Sequence, residues 1–254
     1  MPIQILGRGS NVLIADEGLR GLTVCLRKGL QQLDHDPSTD RIRVGAGVSL
    51  PKLCKFAAKL GWGGYEFLIG IPGTVGGGVV INAGYKRGDP RDLAHLCDTV
   101  DCLSPDGDLR RFDYTDLHPD YRRTDLSAGL LPDHIVTGAT FKCIQKSTPA
   151  AIRAATSEQL RMRKATQPLT MPTAGSVFVA HDGTPAALYI DRAGLKGHTI
   201  GGARVSPKHA NWIENTGTAT AADIQSLITH IQQTIQSEFG IQLTPEIKVL
   251  ADPS

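Results

Sequence analysis

Apolar positions along this chain follow two rhythms, one of period two and one of helical period. After Gly21, the run Leu22-Thr23-Val24-Cys25-Leu26 predicts a buried strand. Residues 31–40 are polar and predict a turn region, and Arg41 to Gly47 alternates into a strand ending at Gly45-Ala46-Gly47. Pro51 opens a helix with Leu53, Phe56, Ala57 and Leu60 on one face, and Gly61 ends it. Strands are predicted at Thr99 to Leu103, Arg110 to Phe112 and Ile135 to Cys143, with a Pro105-Asp106-Gly107 turn joining the first two. Residues 146–149 read as a linker. Ile152 to Lys164 then predicts a helix with Ile152, Ala155, Gln159 and Met162 along one side, and its basic end suits a helix carboxyl terminus. Ala221 to Phe239 predicts a long amphipathic helix whose apolar face is Ile224, Leu227, Ile228, Ile231, Ile235 and Phe239. Thr218 or Thr220 caps it and Gly240 stops it. Ile241 to Leu250 returns as a strand, interrupted at Thr244-Pro245-Glu246.

Two glycine clusters break these rhythms. Gly70 to Gly84 reads GIPGTVGGGVVINAG, six glycines in fifteen residues. Apolar Ile71, Val75, Val79, Val80 and Ile81 stand among them, so the segment suits burial and is no flexible linker. Glycine lets a backbone approach a ligand with no Cβ in the way, and successive backbone N–H groups make an anion-binding concavity. Tight turns between buried strands are the alternative. The spacing is neither GxGxxG nor a P-loop. The second cluster, Leu6 to Asn11, reads LGRGSN before the apolar run Val12-Leu13-Ile14. Ser10 and Asn11 can add side-chain donors to the backbone N–H groups of Gly7 and Gly9.

Composition narrows the picture a little. The 254 residues are 41% hydrophobic and 20% charged, which suits a globular protein with a sizeable core. A net charge of +2 argues for neither nucleic acid nor a membrane surface. The five cysteines, Cys25, Cys54, Cys97, Cys102 and Cys143, are scattered and form no CxxC pair. No metal site is expected, and free thiols in a reducing compartment are. With no signal peptide and no membrane-length apolar run, the expected location is the cytoplasm.

LGRGSN followed by GIPGTVGGGVVINAG resembles UDP-N-acetylenolpyruvoylglucosamine reductase, a flavoprotein family of peptidoglycan synthesis whose members carry LGxGSN and then GIPGTVGGxVxxNAG. The resemblance implies that these segments hold FAD, chiefly its pyrophosphate and ribityl parts. The residues concerned are Gly7, Gly9, Ser10 and Asn11, then Gly70, Ile71, Pro72, Gly73, Thr74, Gly76, Gly77, Asn82, Ala83 and Gly84. Family members carry a further strand and helix ahead of LGxGSN, and this chain is expected to lack them, since Met1-Pro2 leads almost directly into that motif.

The resemblance covers nearly the whole chain. Within Asp120-Tyr121-Arg122-Arg123-Thr124, the family's Tyr-Arg pair falls on Tyr121 and Arg122, followed here by Arg123-Thr124 where the family usually has Asp-Ser. Composition alone reads this as an exposed polar loop; the resemblance implies a substrate contact by Tyr121 and a catalytic Arg122. A planar guanidinium suits a carboxylate or a developing enolate oxygen. Arg163 lies near a family arginine that approaches the nucleotide sugar, while the next basic position falls on Thr166. QPLTMPTAGSVF, Gln167 to Phe178, matches P-S-A-G-S-x-F and implies that Ser176 is the catalytic acid, a role that needs fixed geometry and excluded solvent. There is no GxSxG elbow. The family then continues Phe-Lys/Arg-Asn-Pro, whereas this chain has Phe178-Val179-Ala180-His181. Agreement returns at Ala193 to Gly197, Ile200 to Ala203, Val205-Ser206 and His209-Ala210-Asn211, with Trp212 in place of the usual Phe. Asn211 is carried over as a substrate contact, though it, Asn215 and His209 equally suit packing at a strand end. Glu246 in Leu243-Thr244-Pro245-Glu246 matches LxPE, whose glutamate completes the site.

The resemblance implies an α+β architecture: an FAD-binding fold of two small α/β lobes, at 1–32 (partial) and 33–146, and a carboxy-terminal α+β substrate-binding domain at 147–254. It implies a monomer that uses bound FAD and the co-substrate NADPH to reduce UDP-N-acetylglucosamine enolpyruvate to UDP-N-acetylmuramate. Another flavin oxidoreductase of the same fold, or a non-catalytic flavin or nucleotide-sugar binder, is the alternative. Retention of Arg122, Ser176 and Glu246 argues against a pure binder.

Overall fold

Alternation within three segments places Ile42 and Val44, then Val100 and Cys102, then Ala139 and Phe141 on one buried face. A sheet with one such face must cover it. The computed structural model, which describes residues 1–85 and 91–252, shows how. Five antiparallel strands lie in the order Leu109–Asp113, Cys97–Leu103, Ile135–Lys142, Arg41–Gly45, Leu33–Asp36. Helix α1, Leu50–Lys59, contributes Leu50, Leu53, Cys54 and Ala57 to the same core, and α2, Val75–Val80, contributes Val75 and Val79. Ser49 caps α1 and Pro51 sits in its first turn, where a missing N–H costs nothing.

The chain divides into two compact units. The first takes residues 3–8 and 22–161, the second residues 9–21 and everything from Met162 onward. In the first, Ile3–Leu6 pairs in parallel with Leu22–Cys25. In the second, four antiparallel strands lie in the order Thr173–Ser176, Trp212–Asn215, Ala203–Val205, Thr199–Ile200, and Val12–Ile14 pairs in parallel with Lys248–Leu250. Helix α3, Pro149–Thr166, crosses from one unit's residues to the other's. Helices α4, Ala186–Arg192, and α5, Ala221–Phe239, place Ile190, Leu227, Ile231 and Ile235 in the second core. The predicted face of α5 is the buried one, apart from half-buried Ile224 and exposed Phe239. Thr220 caps it in a reciprocal box with Asp223, and Gly240 ends it at φ +71. Asp16 accepts from the N–H groups of Ala221 (2.7 Å) and Ala222 (3.0 Å), which anchors residues 9–21 to that helix.

Several expected elements come out differently. The strand Leu22–Cys25 forms but is not buried, with Leu22 46% exposed, because only one partner strand covers it among the described residues. The polar stretch 31–40 contains the strand Leu33–Asp36; it lies at a sheet edge, where polar residues are tolerated. Gly70 to Gly84 is neither loop nor turns throughout, since it contains α2. In α3 the buried positions are Ile152, Thr156 and Arg163 instead of an apolar stripe through Ala155 and Met162. Thr156 Oγ1 donates back to Ile152 O (2.8 Å) and Arg163 Nε donates to Gln167 Oε1 (3.0 Å), so that stripe is largely polar. Residues 241–243 form no strand, and only Lys248–Leu250 pairs as one.

Candidate flavin and active site

In the first unit the glycine segment runs beside residues 46–50. Val75 N donates to Val48 O (2.8 Å), Gly76 N to Ala46 O (2.9 Å) and Leu50 N to Gly73 O (3.0 Å). Such close backbones leave little room for side chains. A Cβ on Gly76 would lie 2.9 Å from that of Ala46, and one on Gly84 would lie 2.5 Å from that of Asp92. Gly77 is different: it is exposed, and its nearest neighbour would be Thr74 Oγ1 at 3.6 Å. The two glycine motifs meet here. A Cβ on Gly7 would fall 2.5 Å from Thr74 Oγ1, the oxygen that caps α2 by accepting from Gly77 N (3.4 Å).

The far end of this segment carries the Tyr121-Arg122 turn. Asn82 is buried; its Nδ2 donates to Asp120 O (3.1 Å), and its Oδ1 accepts from Ala94 N (3.0 Å) and Tyr114 Oη (3.4 Å). Burial pushes the Tyr114 phenol well up, so it stays a neutral donor. Thr124 Oγ1 donates to Val80 O (2.6 Å), and Arg122 Nη2 donates to Gly84 O (2.7 Å). Asp120 and Arg123 exchange both backbone bonds, leaving Tyr121 and Arg122 at the corner. Arg122 sits at φ +57, a conformation that costs a non-glycine residue roughly 1–2 kcal/mol. Such strain concentrates at functional sites. What composition reads as an exposed loop is a half-buried turn stapled to the glycine segment.

In the second unit, Ser176 ends the strand Thr173–Ser176. Thr173 pairs with Glu214 and Ser176 with Trp212, so three steps on one strand match two on the other. Gly175 is at φ +88, the mark of a bulge with glycine in the left-handed region. Three regular strand steps would put Ser176 on the opposite face from Thr173; the bulge absorbs one of them and keeps the two on the same face. The following residues are pinned: Val177 N donates to Asn211 O (2.9 Å), and Asn211 brackets Phe178, accepting from its N–H (3.0 Å) and donating to its C=O (2.8 Å). Glu246 N donates to Val177 O (2.7 Å) and Val179 N to Thr244 O (3.0 Å), so Glu246 is one residue from Ser176 across a short ladder. Asn11 joins the same group, with Nδ2 donating to Glu246 O (3.4 Å) and its own C=O accepting from Lys248 N (3.0 Å). Ser10 O is 3.8 Å from where a Cβ on Gly175 would be.

Ser10, Asn11, Ser176, Glu246 and Asn211 thus gather in the second unit, while Gly7, the glycine segment, Tyr121 and Arg122 belong to the first. Arg163 is 6% exposed and held by Gln167. His181 closes a turn with Thr184 and lies 3.5 Å from the Asp182 carboxylate. Sequence reasoning did not find the bulge at Gly175, although Gly before the serine was its signal, nor the clamping role of Asn82. Among the described residues no group of three or more His, Cys, Asp or Glu is placed to hold a metal ion, and no helix is long and apolar enough to cross a membrane.

These features define an α+β protein, and two family matches give its class. The FAD binding domain family matches residues 1–113, and the C-terminal domain of UDP-N-acetylenolpyruvoylglucosamine reductase matches residues 167–250. Relatives named UDP-N-acetylenolpyruvoylglucosamine reductase come from Synechococcus sp. strain RCC307 and Nostoc punctiforme. The first is 44% identical over 97% of this chain and 79% of its own length, the second 42% identical over 99% and 74%. The crystal structure of the reductase from Thermus caldophilus superposes with a TM-score of 0.82 at 33% identity, covering 98% of this chain and 86% of that one. The chain belongs to the UDP-N-acetylenolpyruvoylglucosamine reductase family.

Proposed function

We infer that this protein is an FAD-dependent reductase that uses NADPH to convert UDP-N-acetylglucosamine enolpyruvate to UDP-N-acetylmuramate, in peptidoglycan precursor synthesis. The observation that carries the reading is the short ladder that sets Glu246 opposite Val177, next to Ser176, with Asn11 of the glycine motif bonded to the same segment, in a member of this family.

The residues fit a flavin dinucleotide. Gly7 abuts Thr74 with no space for a Cβ, and Gly77 is open to solvent beside it. Gly7, Gly9, Ser10 and Asn11, with Gly70 to Thr74, Gly76, Gly77 and Asn82 to Gly84, would hold the cofactor. Gly76 and Asn82 would act through the packing that shapes the segment. When bound, FAD supplies hydride transfer from NADPH to the substrate's terminal carbon. Negative charge then develops next to the substrate carboxylate. Arg122, oriented by its bond to Gly84 O, would stabilise that charge, with Glu246 as a protonated or bridging partner; placed charges and donors are usually the largest catalytic contribution. Ser176 would donate a proton to the carbon that bears the carboxylate, where that charge has developed. Tyr121 and Arg163 would contact the nucleotide sugar, and Asn211 would add to binding by holding Phe178. The same reading divides the chain functionally into flavin-holding lobes at 1–32 and 33–146 and a substrate lobe at 147–254. It takes the protein as a cytoplasmic monomer with small-molecule partners only, in keeping with a net charge of +2 and five free thiols.

The test is a visible spectrum of the purified protein before and after reconstitution with FAD. Retained flavin bands should bleach with NADPH in the absence of oxygen and return on adding the enolpyruvyl substrate. A flavin that NADPH does not bleach, or that bleaches and is not restored by that substrate, would make it a different flavin oxidoreductase, and a protein that retains no flavin would be a non-catalytic relative.

A further inference from the structure

The sheet of the second unit has two faces, and one of them meets that unit's apolar core through Val177, Val205 and Ile213. Neighbours along a strand alternate between faces, and antiparallel partners share one. The pairings Ser176 with Trp212 and Arg204 with Glu214 therefore place these four residues on the opposite face. Trp212 is buried there all the same, at 4% exposure, outside the core cluster. Its indole Nε1 is buried and has no hydrogen-bond partner among the described residues. Glu214, by contrast, is matched by Arg204 through Nε (3.2 Å) and Nη2 (2.7 Å). A buried indole N–H normally has an acceptor, and a native protein that leaves one without needs a reason. Phenylalanine would fill most of the same space at no such cost.

We propose that Trp212 is a substrate-binding residue whose indole N–H donates a hydrogen bond to an oxygen of the nucleotide-sugar substrate, on the sheet face that presents Ser176. The ligand group is an acceptor because an indole N–H can only donate. The inference rests on the reductase reading above and adds a residue to it.

The chain has two tryptophans, and Trp62 lies in the core of the first unit, so it serves as an internal control. The oxidised holoenzyme, labelled with 15N at the indole nitrogens, is titrated with UDP-N-acetylglucosamine enolpyruvate in the absence of NADPH. Calorimetry on the same sample establishes that substrate binds. The Trp212 indole proton, assigned with Trp212→Phe, should move downfield and exchange more slowly at saturation, while that of Trp62 stays in place. Trp212→Phe should raise the substrate KM about tenfold, the loss of one neutral hydrogen bond, with kcat changed less than about twofold. A merely structural tryptophan would lower thermal stability without that split. If neither indole signal moves although substrate binds, the inference alone is overturned, with no need of an assignment or of a folded variant; should Trp212→Phe fail to fold, Trp62→Phe supplies the assignment. A wild type that binds no substrate overturns the reductase reading and the inference with it.

Discussion

Gly7 in the first unit belongs to the proposed flavin-holding segment and Gly175 in the second precedes the proposed acid Ser176, yet each is glycine for its own reason. At Gly7 there is no room, because an added Cβ would lie 2.5 Å from Thr74 Oγ1. At Gly175 there is room, the nearest atom being Ser10 O at 3.8 Å, but the backbone is at φ +88. Packing excludes a side chain from the first position and conformation from the second. The contrast separates two ways of building a site. The first unit brings backbones together and lets a ligand approach them. The second turns one side chain, Ser176, onto the required face and fixes the residues after it.

The largest effect should come from the side chain itself. Ser176→Ala should slow turnover by about 10²–10⁴-fold, the range for a lost general acid. Stopped-flow reduction by NADPH should keep its wild-type rate, with only the return of the flavin bands slowed. An unchanged return would remove Ser176 from proton donation. Gly175→Ala should come next. Holding φ there costs an ordinary residue roughly 1–2 kcal/mol. If the bulge relaxes instead, Ser176 shifts, and a misplacement of about 1 Å can cost about 10²-fold in rate. Asparagine tolerates the left-handed region, so Gly175→Asn should keep much more activity than Gly175→Ala. Equal losses in the two would show that space, not conformation, is limiting, and the contrast with Gly7 would collapse.

Gly7→Ala should have a smaller effect of another kind. The new methyl group can be accommodated only by displacing Thr74 Oγ1, which uncaps α2 at a cost of about 0.5–2 kcal/mol. The expected result is weaker flavin retention on desalting and a lower melting temperature, with the proton-transfer step intact in molecules that keep the cofactor. A Thr74→Gly background removes the colliding oxygen, so Gly7→Ala should cost much less there; the double-mutant cycle reads the coupling directly. Additive costs would mean that the two motifs do not meet through this contact.

The same contrast explains what the sequence made legible. Long periodic elements such as α5, and the strands Arg41–Gly45, Cys97–Leu103 and Ile135–Lys142, follow from hydrophobic spacing because each buries one face. Short elements held by other parts of the chain do not. The strand Leu33–Asp36 is polar, so only its pairing with Arg41–Gly45 identifies it. Helix α2 has three glycines in six residues, against helix propensity, and exists because Thr74 caps it and Val75 and Val79 are buried. The proposed site residues come from motif resemblance, and their geometry sorts them further. Asn82 and Asn211 commit their amides to backbone groups of Asp120 and Phe178, so they shape the site through its chain path. That role depends on residues 38 and 33 positions away in sequence, which no local pattern reveals.

A third case tests whether the two kinds of glycine divide by unit. Gly201 lies in the second unit and joins both reasons: its backbone is at φ +52, as at Gly175 a left-handed conformation, and an added Cβ would collide with the Asp223 carboxylate, as at Gly7. Asp223 accepts from Gly202 N (3.1 Å) and Thr220 N (3.1 Å), closing the cap of α5. These bonds, that from Gly202 first, hold its pKa below the ordinary value of 3.8. A carboxyl depressed in the folded state stabilises the protein above the unfolded pKa, near 3.9, and that contribution disappears as pH falls through the folded value. Asp223→Ala should therefore melt below wild type at pH 7, with the gap narrowing as pH drops below about 4. The gap should not close on the alkaline side. Flavin retention should match wild type, because the cap serves α5 and the Gly201-Gly202 turn packed on it. A gap that stays constant down to pH 3 would mean that Asp223 acts by packing alone. Packing would then account for the contact at Gly201 without any charge, and Gly201 would stand between Gly7 and Gly175 as the position where space and conformation both call for glycine.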